Sequence, residues 1–133
     1  RVTDLERIGD HASDIAELIL RIRGEHIYHV VRHIPGMAMA AREMVRSAID
    51  AFISQDITAA KTIEKQDDIV DELFTKVKND VIDLLKQSAE HADQCIDLLM
   101  VAKYLERIGD HAVNVCEWTG FAKTGALKNV RIL

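Results

Sequence analysis

Apolar residues recur at three- and four-residue steps along most of this chain, in runs too long for strands. From Val2 to about Arg23 the series is Leu5, Ile8, Ala12, Ile15, Leu18, Ile19 and Ile22, with charged residues between them, which is the pattern of an amphipathic helix. Gly24 marks its expected end. His26 to His33 reads as a connector or as continuing helix. Pro35-Gly36 is the strongest punctuation in the sequence, and a proline suits the first turn of a new helix, where its missing amide hydrogen costs nothing.

The second run spans Met37 to about Ser54 and carries Met44, Val45, Ala48, Ile49 and Phe52. Asp56 then stands as a capping residue before a third run that reaches about Gln87 through Ile57, Ala60, Ile63, Ile69, Val70, Leu73, Phe74, Val77, Val81 and Leu84. About 30 helical residues at 1.5 Å each give that element a length of about 45 Å. A fourth run extends from about Asp93 to Thr119, with Gly120 as its expected end. Residues 121–133 show no strong period and are left as a tail.

Cutting across these runs is a repeat. Leu5-Glu6-Arg7-Ile8-Gly9-Asp10-His11-Ala12 recurs letter for letter as Leu105-Glu106-Arg107-Ile108-Gly109-Asp110-His111-Ala112. Such self-similarity points to a duplicated structural unit. Short connections force packed helices to alternate in direction. The expected fold is therefore all-α, with residues 35–120 forming an antiparallel three-helix bundle. Residues 1–23, bearing the other copy of the octapeptide, read as the final helix of a second, incomplete bundle. The chain opens at Arg1 inside helical sequence, as a piece of a longer protein would.

Composition agrees with helices. One proline, six glycines, and 48% hydrophobic but only 5% aromatic residues disfavour a β-rich domain. A formal net charge of −5 argues against a general nucleic-acid binder, whose affinity rests on a basic face. Cys95 and Cys116 have neither metal-ligand spacing nor the density of a disulfide scaffold, which suits a reducing compartment such as the cytoplasm. No apolar run is long enough to cross a membrane.

The repeat places a Glu and an Asp four residues apart, on neighbouring turns of a helix. With Glu106 at zero on a helical wheel, Asp110 lies about 40° round, Glu117 about 20° and Asn114 about 80°. Leu105, Ile108, Ala112 and Val115 fall on the far side. Glu6, Asp10, Asp14 and Glu17 repeat the acidic stripe. Asp67 and Asp71 form a third pair of the same spacing, at the border of an apolar arc. If that helix runs antiparallel to the last, the pair meets Glu106 and Asp110, and four carboxylates repel one another unless a cation intervenes. Oxygen donors of this kind suit Mg, Ca, Mn or iron. The alternative for each pair is a solvated helix surface.

The histidines carry less. His11 and His111 point about 100° away from the preceding acids and read as surface or packing residues. His26, His29 and His33 have helical spacing without an acidic companion, and read as a pH-sensitive surface. Met37, Met39 and Met44 are expected in the core, and Trp118 is expected to anchor packing near the final helix end. No Glu-x-x-His, HExxH, P-loop or GxSxG pattern is present, which disfavours catalysis.

The duplicated octapeptide, the stretch from Met44-Val45 to Phe52, Asp56, and Asp67-Asp68-Ile69-Val70-Asp71-Glu72-Leu73 together resemble the PhoU family of phosphate-signalling regulators, over nearly the whole chain. The resemblance implies two similar three-helix bundles. It places metal-binding motifs at Asp67 and Asp71, at Glu106 and Asp110, and, for the first bundle, at Glu6 and Asp10. It implies multinuclear clusters there, with iron favoured and Zn, Mn, Mg or Ca as alternatives. It further implies a cytoplasmic, non-enzymatic negative regulator of the phosphate regulon, peripheral to the inner membrane face. Its implied partners are the phosphate ABC transporter ATPase, a sensor histidine kinase and a second copy of itself in a homodimer. The rival readings are a carboxylate-bridged metalloenzyme and a purely structural helical module.

Overall fold

The computed structural model describes residues 2–22 and 32–124. Helix α1 spans Val2–Ile22, α2 Ile34–Ser54, α3 Ala60–Gln87 and α4 Ala92–Thr124, with one 3-10 turn, Ile57–Ala59, ahead of α3. The described residues contain no strand, and the fold is the all-α one expected.

The boundaries follow local chemistry. Pro35 occupies the first turn of α2, where an intrahelical amide is not required. At its other end Gln55 adopts a left-handed backbone (φ 57°) and the Asp56 amide donates back to the Ala51 carbonyl at 2.9 Å, which stops the helix. Asp56 then caps the next element by accepting from the Thr58 amide at 3.0 Å and the Thr58 hydroxyl at 2.6 Å. The expected stop at Gly120 does not occur, since α4 runs on to Thr124. A single glycine costs a helix interior only about 1 kcal/mol, too little to end an element packed along most of its length.

Four interhelical contacts fix the directions. Gln66 donates to Ser47 and Gly36 lies beside Leu73, so α2 and α3 are antiparallel. Lys103 sits over the Phe74 ring and Gly109 beside Asp67, so α3 and α4 are antiparallel as well. The core between them holds Met37, Met44, Ile63, Val70, Val77, Val101, Leu105, Ile108, Ala112 and Val115, all buried. Met37 and Met44 are wholly enclosed, whereas Met39, expected inside, is 65% exposed because it falls on the outer side of α2.

Helix α1 packs along α4 through Asp4, Ile8, His11, Ile15 and Leu18, a seam of alternating four- and three-residue steps. The residues that meet define a local twofold relation between the two copies of the repeat. His11 stacks on His111 with ring centroids 5.6 Å apart, and on Tyr104 at 5.3 Å. The counterpart of the His11–Tyr104 contact, one hundred positions on, is His111–Asp4, and those two are 3.0 Å apart. The two octapeptides therefore run antiparallel against each other across an axis near the two histidines. The other side of α1 is open, with Leu5, Ile19 and Leu20 at 43, 53 and 65% exposure. Leu5, assigned to the buried face from periodicity, lies outside the seam that α4 covers.

Identical glycines in the two copies face different surroundings. A Cβ on Gly109 would stand 3.1 Å from Met44 Sδ, whereas one on Gly9 would meet nothing within 4 Å. Gly9→Ala is expected to stabilise this chain by about 0.5–1 kcal/mol through helix propensity. Gly109→Ala is expected to lose that gain, because the enclosed Met44 must move to admit the methyl group. Urea unfolding midpoints measure both, and equal gains would show that the Met44 contact is slack.

Candidate metal centre at the junction of two helices

Glu106 and Asp110 stand one turn apart on α4, and Asp67 and Asp71 one turn apart on α3. The antiparallel crossing brings the two pairs face to face, as their border positions predict. Asp67 and Asp71 are both held above the ordinary carboxylate range. Lost hydration where the helices meet is the leading cause for each. The charges of Asp110, Asp68 and Glu106 add to it at Asp67, and those of Asp67 and Glu106 at Asp71. Asp110 is raised likewise, by lost hydration and then by Glu106 and Asp71, with Lys103 and His111 acting in the opposite sense. Asp71 is also within hydrogen-bonding reach of Glu106. That proximity is a further reason the Asp71 carboxyl is held above its ordinary range.

One oxygen of this group has no partner. Asp67 Oδ1 is buried and accepts no hydrogen bond, although it lies against the bare Cα of Gly109, where an added Cβ would come within 3.6 Å of it. A buried carboxylate oxygen without a donor is costly, and the donor set around it is all oxygen. The chemistry therefore fits a hard cation. The side chains do not form a closed cage as they stand: among the described residues no three of His, Cys, Asp and Glu converge on one point at ligating range. Glu106 Oε1 is engaged instead by the Lys103 ammonium at 2.7 Å.

Glu6 and Asp10, the equivalent acids on α1, are exposed. The structure does not bring them to the Asp67 cluster, because α1 turns the His11 side of its repeat toward α4. The wheel's division of α4 holds for Leu105, Ile108, Ala112 and Val115, all buried, and for Asp110, Asn114 and Glu117, all exposed. Glu106 departs from it, being half-covered by α3.

Other polar residues find unexpected partners. His33 has an acid beside it after all: Asp80 on α3, at 3.6 Å, which also approaches Arg32 at 3.4 Å. His26 and His29 lie outside the described residues. Asp4, passed over in the sequence, is buried and accepts from Asn114 at 3.3 Å besides meeting His111. The signal that could have found it is its place in the same four-and-three seam as Ile8 and Ile15. His11 is buried at that seam, and lost hydration followed by the neighbouring His111 charge holds its imidazole below the usual range. Cys95 and Cys116 are both free and buried, and Trp118 is half-buried.

The fold is an all-α bundle of long antiparallel helices with paired acids at one helix junction. The PhoU domain model matches residues 34–119, most of the chain, and the chain belongs to the PhoU family. It is 40% identical over 124 residues to a phosphate-specific transport system accessory protein PhoU homolog of Clostridium acetobutylicum, covering 93% of this chain and 57% of that protein. A Borreliella burgdorferi protein of the same description is 33% identical over 97% of this chain and 60% of its own length. A Thermotoga maritima one, homolog 1, is 33% identical over 96% and 55%. The chain thus spans somewhat more than half the length of these curated relatives.

The raised carboxylates carry a stability consequence with a definite sign. A group whose native value lies above its unfolded one destabilises the fold when ionised, and that cost is recovered as pH falls through the raised native value. Asp67→Asn is therefore expected to stabilise the chain at pH 7 by about 0.5–1 kcal/mol, a figure discounted for partial solvent screening. The gain should shrink as pH is lowered into the carboxylate range. Urea midpoints at several pH values test this, and a variant that is destabilised at pH 7 would show that Asp67 is satisfied as it stands.

Proposed function

We propose that this chain acts as an accessory of a phosphate-specific transport system. In this reading it restrains phosphate-starvation genes by linking the phosphate ABC transporter ATPase to a sensor histidine kinase. The observation that carries the reading is the match to transport accessory proteins along 93% and 97% of this chain. Binding, rather than catalysis, is the activity proposed. The setting is the cytoplasm, at the inner face of the membrane. Among the described residues no helix is long and apolar enough to cross a bilayer, so the proposed attachment is peripheral. A homodimer is part of the reading, and the open side of α1, with Leu5, Ile19 and Leu20, offers it apolar surface.

Within the same proposal, Asp67, Asp71, Glu106 and Asp110 hold a metal between α3 and α4. Iron is favoured, with Mn, Zn, Mg or Ca as alternatives, and Glu6 and Asp10 serve an equivalent site built on α1. Support for the first site comes from the unpartnered Asp67 Oδ1 and from three carboxylates raised by lost hydration and then by neighbouring acidic charges. When bound, a cation supplies the positive charge that offsets this repulsion. Joined through such a cation, the acids of α3 and α4 would form one face, and that face is what a partner would read.

The test is the double variant Glu106→Gln with Asp110→Asn. Folding and abundance are expected to be retained, since only repelling charges are removed. Metal content of the purified protein is expected to fall, and a phosphate-regulon reporter to stay active in high phosphate. Unchanged metal content would remove these two residues from the site. Normal repression by a variant that has lost its metal would remove the acidic row from signalling.

A further inference from the structure

The acidic row has a cation of its own. Lys103 precedes Glu106 by one turn of α4, and its Nζ lies 2.7 Å from Glu106 Oε1. Phe74 follows Asp71 by one turn of α3, and the antiparallel crossing puts its ring 5.4 Å from the same ammonium. The lysine is thereby seated at one end of the row, between an aromatic face and a carboxylate. Its charge also reaches Asp110, where it opposes the acids around it. Glu106 is far less exposed than its partner, with 17% of its side chain open against 42% for Lys103. The lysine is the member of the pair that has room to leave.

An ammonium and a metal ion held on the same carboxylate repel one another. In the observed positions Glu106 Oε1 is engaged by Lys103, and among the described residues no three acids converge on one point. A metal bound among these acids would draw Glu106 away from the ammonium and toward Asp67 and Asp110. We propose that Lys103 is a resident counterion of the acidic row that competes with metal for Glu106 and leaves it when metal enters. Phe74 provides the ammonium with a second, weaker seat, so the exchange needs no movement of either helix. The inference rests on the metal reading above and adds to it a residue that sets affinity. A bare i,i+3 surface pair, the alternative, contributes little and would have no bearing on a third group.

The purified chain, without added metal, is titrated with Mn2+ by calorimetry as wild type, Lys103→Met, Lys103→Gln and Arg107→Gln. Lys103→Met keeps the length of the side chain over Phe74 and removes the charge. It is expected to bind Mn2+ about five- to ten-fold tighter than wild type, the scale of one charge-assisted hydrogen bond at a half-exposed site. Lys103→Gln should agree, so the result does not hinge on how methionine packs. Arg107→Gln removes one positive charge from the exposed side of the same turn and should shift affinity by less than about two-fold, as a screened surface charge does. Independently, the Lys103 ε-methylene protons, ring-shifted by Phe74, should move on titration of wild type with diamagnetic Mg2+. Equal affinities in the Lys103 and Arg107 variants, or a Lys103 resonance that stays in place at saturation, would overturn the competition while leaving the metal site standing. No Mn2+ binding by any of the four proteins would overturn the metal site itself, and the competition with it.

Discussion

Every other helix in the described structure packs against α4, and that single constraint organises the rest. A helix covered by α2 and α3 on one side and α1 on another has only narrow strips left for polar residues. Leu105, Ile108, Ala112 and Val115 are committed to the core. His111 and Tyr104 are committed to the α1 seam. Glu106 and Asp110 fall in the strip between, where α3 comes close enough for its own acids to be felt. The carboxylates are crowded because α4 is surrounded, and the unpartnered Asp67 oxygen is a by-product of the same crowding.

The two copies of the octapeptide show how little a motif means apart from its surroundings. Gly109 is pressed by Met44 and Asp67, while Gly9 borders open space. Asp110 is raised by its neighbours, while Asp10 sits exposed on the outside of α1. Eight identical residues give one crowded acidic junction and one pair of acids, Glu6 and Asp10, that stands exposed. The difference lies wholly in whether a helix like α3 lies across them.

Much of this was legible from spacing. Four helices followed from three- and four-residue periodicity, the start of α2 from Pro35, and the turn before α3 from Asp56. The meeting of Asp67 and Asp71 with Glu106 and Asp110 followed from two acid pairs on antiparallel neighbours. What escaped depends on long-range pairing that no local pattern encodes. Asp4 finds His111 across more than a hundred residues, and His33 finds Asp80 across the α2–α3 hairpin. Met39 and Leu5 were misplaced because an apolar residue at the border of a stripe is buried only where a neighbour happens to cover it. Gly120 was over-read as a stop, since packing over the rest of α4 outweighs one weak residue. The seat of Lys103 could not be read from spacing because the ring beneath it, Phe74, lies on another helix.

The stacked pair of His11 and His111 lies where the duplicated segments cross their own axis. A residue in that position has its own twin as a neighbour, so it must be compatible with itself. A charge there would meet an equal charge, and a bulky side chain would meet equal bulk. An imidazole ring tolerates its own company when neutral, flat and stacked. Once the two copies are separate stretches of one chain, however, either twin is free to change alone. The seam then becomes the place where two halves that began alike can acquire different tasks without giving up their grip on one another.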